Sequence, residues 1–145
     1  MATVAQPGVR PDQRTALTRM LRAMFPHDRF PDGPYERTAD AILQAASADL
    51  RMRAQLEQGL RDLDVVGGAP FDTLAPVKRL EVLRGLGTTE FFEGVRAKTI
   101  LVLYNDPEVW QLLGWEGESY SRGGYLERGY ADLDWLPDPR IEEAS

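Results

Sequence analysis

The chain has 145 residues, no cysteine and one histidine, with 43% apolar and 28% charged residues and a net charge of −6. That length suits one domain with its own core, burying roughly two-thirds of the surface the unfolded chain exposes. The missing thiols exclude disulfides, thiolate zinc and iron–sulfur ligation and cysteine nucleophiles, and the acidic balance disfavours a nucleic-acid partner.

Met1–Arg10 (MATVAQPGVR) has neither the apolar core of a signal peptide nor the paired arginines of a twin-arginine leader. No stretch approaches the ~18 apolar residues of a membrane span. The expected location is cytoplasmic, or periplasmic for a chain whose leader has been removed. The first helical pattern then runs over Pro11–Met24, with Asp12 suited to the N-cap and Leu17, Met20, Leu21 and Met24 on one face. Its arginines Arg14, Arg19 and Arg22 fall on the outer face and read as solvated. Phe25-Pro26 ends the helix, because the residue before proline is pushed out of the helical region. His27–Pro34 (HDRFPDGP) is a turn-rich connector.

Pro34 suits the first turn of a long element, Tyr35 to Leu63. Ala39, Ile42, Leu43, Ala46 and Leu50 share one face, and Leu56, Leu60 and Leu63 form a second stripe. The six-residue step from Leu50 to Leu56 breaks phase, so a bend is expected near Arg51–Ala54. Val65–Pro70 (VVGGAP) reads as a loop. A further helix is expected over Leu74–Leu86 with Val77, Leu80 and Leu83 inward, and Gly85 and Gly87 at its end. Thr88 or Thr89 caps the next, Glu90–Tyr104, whose last six residues (TILVLY) are apolar all round and therefore expected in the core. Asn105-Asp106-Pro107 stops and restarts the chain into a short helix, Pro107–Leu113, with Gly114 as its C′ residue. No strand pattern appears. The expected fold is all-α: a small irregular bundle of four to five helices over residues 1–113, followed by an irregular arm over 114–145 within the same domain.

Catalytic equipment is sparse. His27 is the single histidine, so a dinuclear carboxylate site built on Glu-x-x-His motifs has too few ligands. No G-x-S-x-G elbow accompanies it. An exposed or capping role is expected for His27. The glycine pairs of Val65–Ala69 and Arg122–Gly124 match no phosphate-binding loop. Glu90 and Glu93 fall in a first helical turn, where carboxylates complement the dipole. No catalytic, cofactor-binding or metal-binding residue is therefore assigned.

The distinctive residues lie in the arm. Trp115, Tyr120, Tyr125, Tyr130 and Trp135 recur every five residues, a spacing that neither a helix nor a strand places on one face. All three tryptophans and three of five tyrosines lie beyond residue 109, and 114–145 carries eight acids against three arginines. Tryptophan and tyrosine are favoured interface anchors, because each buries a large rigid surface while satisfying one polar group. Tyr120, Tyr125, Tyr130 and Trp135 are the expected partner contacts, with Trp110 and Trp115 at the root of the arm. The rival expectation is a self-contained helical protein binding a small ligand, its arm folded back over its own core.

Val95–Pro139 resembles the C-terminal part of the gluconate 2-dehydrogenase subunit 3 family. The matching pieces are Tyr104-Asn105-Asp106-Pro107, Leu113-Gly114-Trp115-Glu116-Gly117 and Gly123-Gly124-Tyr125, and Phe25–Tyr35 (FPHDRFPDGPY) is similar to that family's proline-rich connector. The resemblance spans about residues 12 to 139. It implies a non-catalytic small subunit of a flavin-dependent GMC-type sugar or alcohol dehydrogenase or oxidase. FAD would sit in the large partner subunit and no cofactor in this chain; some assemblies of the family add a cytochrome subunit. The chain departs from many members in lacking a twin-arginine leader and cysteines.

Overall fold

The computed structural model describes residues 11–124 and residue 126. Among them every regular element is helical, in the order α1 (Pro11–Met24), α2 (Asp32–Ala48), α3 (Leu50–Gly67), α4 (Pro76–Leu86), α5 (Glu90–Leu103) and α6 (Pro107–Leu113), with short 3-10 turns at Phe71–Thr73 and Tyr120–Arg122. The described residues are all-α, as their periodicities imply, but with six α-helices rather than four or five. It divides into two compact units, Met1–Gly114 and Trp115–Ser145.

In the first unit α1 packs on α2 and α4, and α2 also lies against α3 and α5. Leu17, Met20 and Leu21 of α1, Tyr35, Ala39 and Ile42 of α2, and Leu56, Leu60 and Leu63 of α3 form the core, which Phe71, Val82, Val95, Leu103 and Val109 close from the remaining elements. Asp12 lies inside the first turn of α1, which begins at Pro11, so it complements the dipole instead of capping. The arginines of α1 do more than face water. Arg14 Nε and Nη2 pair with Asp40 of α2 at 2.6 and 2.9 Å. Arg22 donates to the Phe30 carbonyl at 2.9 Å and pairs with Asp32 at 3.1 Å.

The expected long helix is two helices. Asp49 adopts an extended conformation and its carboxylate accepts from the backbone N–H groups of Arg51 and Met52 at 2.9 and 3.1 Å. That is an N-cap, and it resets the helical phase, so Leu50 lies exposed outside the face it was assigned to. The segment expected to loop from Val65 continues as helix to Gly67. Gly68 ends it in the left-handed region (φ 73°), and Asp64 then receives the Phe71 N–H at 2.8 Å.

Two faces are turned from expectation. In α4, Val82 and Leu83 are buried whereas Val77 and Leu80 are exposed. The inward row is Arg79, Val82, Leu83 and Leu86, because Arg79 lays its guanidinium over the Phe71 ring and donates to the Phe71 and Asp72 carbonyls. In α5, only Val95, Thr99 and Leu103 are buried; Leu101 is 70% exposed and Ile100 also faces outward. The apolar run 99–104 is thus half surface. Thr89 caps α5 by accepting from Phe92 N at 3.2 Å.

α6 follows its local punctuation. Asp106 caps it by accepting from Glu108 N at 2.9 Å, Pro107 opens it and Gly114 closes it at φ 72°. Arg37 of α2 forks onto Asp106 at 2.7 and 3.0 Å and reaches Glu108 at 2.6 Å, tying α6 to the bundle. The Arg37 bonds and the backbone N–H groups of α6 hold the Asp106 carboxyl below the usual carboxylate range, against the opposing effect of burial. A depressed carboxylate stabilises fully above its unfolded value of about 3.9 and stops doing so as pH falls through its lower folded value. The Arg37 hydrogen bonds are the larger cause of that depression, and the capped N–H groups of Glu108 and Val109 add to it. Asp106→Ala is expected to cost about 1–2 kcal/mol at neutral pH. The gap in melting temperature from the parent should close on acidification below about pH 4, as thermal unfolding followed by circular dichroism will show.

Candidate interaction surface

The residues singled out in the sequence fall into three groups. Trp110 belongs to α6 in the first unit, half-buried, and its Nε1–H donates to the Tyr104 carbonyl at 2.7 Å. This bond spans the stop between α5 and α6 and satisfies a carbonyl left open at the end of α5. In the second unit, Trp115 is half exposed and Tyr120 is 89% exposed. Tyr120 opens a single 3-10 turn closed by Gly123 at φ 86°, and Gly124 N–H donates to the Ser119 carbonyl at 2.8 Å. Gly117, Gly123 and Gly124 all take positive φ, the bends glycine permits without steric cost. Tyr125, Tyr130 and Trp135 lie outside the described residues.

His27 has a defined place in the first unit. Its Nε2 shares a 2.7 Å hydrogen bond with the Tyr104 hydroxyl. The imidazole stacks at 4.3 Å between centroids on Phe30 and meets the Tyr104 ring edge-on at 5.8 Å. Tyr35 Oη donates to the Phe25 carbonyl and accepts from His27 N–H at 3.4 Å. The expected exposed or capping histidine is instead a clip that holds the proline-rich connector against the end of α5. Burial, with a smaller effect from Tyr35, pushes the Tyr104 phenol above its ordinary value, so it stays protonated at neutral pH.

Two of the segments that carry the family resemblance therefore meet in space. Phe25–Tyr35 touches Tyr104 through His27, and Asp106 is held by Arg37 from α2. The chemistry of this meeting is structural: ring packing, a cap and ion pairs. Among the described residues, no group of three or more His, Asp or Glu side chains is arranged to hold a metal, and no helix is long and apolar enough to cross a membrane.

Some large apolar side chains also face outward. Ile100 and Leu101 stand on the outer side of α5, and Leu113 is exposed at the end of α6. Sequence reasoning missed this surface. A fully apolar helical turn carries no moment to say which side is buried, and the signal available was Thr99, whose hydroxyl is satisfied within the helix by the Val95 carbonyl at 2.6 Å and so can face the core. Burying one such leucine on association contributes roughly 1.5–3 kcal/mol.

Comparison of the chain with protein-family models, with curated proteins and with solved structures finds no match.

Proposed function

We propose that this chain is a non-catalytic small subunit of a heteromeric FAD-dependent GMC-type oxidoreductase acting on a sugar or related alcohol. It binds and stabilises the large catalytic subunit and carries no cofactor itself. The observation behind this reading is the outward apolar side of α5, Ile100 and Leu101, within the segment that resembles the family and continues into the exposed Trp115 and Tyr120. Exposed aliphatic and aromatic side chains interleaved with polar ones are the raw material of an interface core. The family resemblance names the partner, and the exposed side chains supply a surface for it.

The test is co-expression with the GMC-type flavoprotein of the same host. The full chain should co-purify with it in near-equal amount. A chain ending at Leu113 keeps α1–α6 and should lose most of the complex, by about tenfold or more, if Trp115, Tyr120, Tyr125, Tyr130 and Trp135 anchor it. Co-purification of the truncated chain at full yield rejects the arm as the docking element.

A further inference from the structure

We propose that the cleft between α1 and α4 binds a small apolar carboxylate. The cleft has a volume of about 270 Å³, with Ala23, Pro26 and Leu80 among its apolar walls and Arg19, Arg22 and Arg79 around it. At ~30 Å³ for each molecule of water size, it holds roughly nine heavy atoms. That is the scale of a medium-chain or single-ring acid.

Three of the seven residues that line the cleft are arginines, and that charge favours an anion. Arg79 is fixed by two donations to neutral carbonyls, Phe71 at 3.2 Å and Asp72 at 2.6 Å, which orient its guanidinium without neutralising it. Arg19 makes no hydrogen bond or ion pair with a described residue. Arg22 has Asp32 at 3.1 Å and lies 4.7 Å above the Tyr35 ring. Asp32 is thus the one carboxylate paired with these three guanidinium groups among the described residues. Guanidinium forks fit a carboxylate bidentately and shed water more readily than ammonium, so an acid head at the rim and an apolar body in the cleft satisfy both halves of the site. Leu80, expected inward from the sequence, is exposed and lines this cleft.

This inference does not rest on the oxidoreductase reading, since the isolated full-length chain suffices to test it. Octanoate and its neutral isostere octanamide are titrated calorimetrically into the chain at low and high salt. Octanoate should bind at least about tenfold tighter than octanamide, a difference that falls as salt rises. Arg19→Gln, a solvent-facing change that leaves the fold intact, should weaken octanoate about fivefold or more. Ala23→Leu, which fills the cleft and alters no charge, should abolish binding; if that chain is shown by circular dichroism to be unfolded, Arg19→Gln decides alone. Absence of saturable binding, equal affinity for the amide, or unchanged affinity in Arg19→Gln overturns the proposal. So does a dimer, seen by sedimentation, that octanoate does not perturb, because a second copy would then occupy the cleft.

Discussion

A Gly59→Val chain is expected to be among the least stable single variants of this protein. Gly59 is a buried residue of α3, and a Cβ built on it falls inside the Phe91 ring of α5 at the ring's near end, where rotation about the side chain gives little relief. In an exposed helix, replacing glycine by a residue with a side chain gains up to ~1 kcal/mol. Here α3 and α5 must separate or Phe91 must leave its place, and overpacking of this kind costs about 1–3 kcal/mol or more. For a chain of this size the melting temperature should fall by roughly 5–10 °C. Phe91→Ala in the same chain removes the obstacle, so the double variant should be clearly more stable than the sum of the two single losses, measured as a double-mutant cycle. A Gly59→Ala chain that melts higher than the parent would contradict the close approach of α3 and α5.

The second large effect is on association. Leu101→Glu places a charge on the outer side of α5, where the parent side chain is 70% exposed. The isolated chain should keep its stability within about 0.5 kcal/mol, as surface changes do. Affinity for the flavoprotein should fall by about 2 kcal/mol or more, roughly thirtyfold, because a carboxylate would be desolvated in the interface core. Leu50→Glu is the control: Leu50 is also exposed, at the start of α3, outside the segment assigned to the partner. It should leave affinity unchanged. Equal losses from both variants would indicate a nonspecific effect of charge and sink the assignment of α5.

What could be read without coordinates was whatever is written locally. α6 needed only Asp106-Pro107 before it and Gly114 after it, and α1 and the Thr89 cap were equally local. The break at Asp49 left a trace, the six-residue slip from Leu50 to Leu56, but a slip is compatible with a bend or a stop; the cap geometry at Asp49 decides for a stop. Which side of a helix is buried was harder. In α4 an arginine takes an inward place, so counting apolar residues chose the wrong face. In α5 the run 99–104 has no polar side to give it a direction. Trp110, Trp115 and Tyr120 stand out by residue type, whereas nothing in the run 99–104 marks Ile100 and Leu101 as the ones that face outward. His27 with Tyr104, and Arg37 with Asp106, are 77 and 69 residues apart, and no local pattern encodes such pairs. The grouping of arginines around the α1–α4 cleft is hidden for the same reason, since Arg19 and Arg79 come to line one cleft only once the helices pack.

The most direct test of the small-subunit reading is the flavin content of the full chain purified from its native host under gentle conditions. The expected result is a yellow complex with close to one flavin per chain and a large flavoprotein band of comparable intensity. A colourless, monodisperse preparation of this chain by itself, obtained while the flavoprotein is present and folded in the same extract, would contradict it.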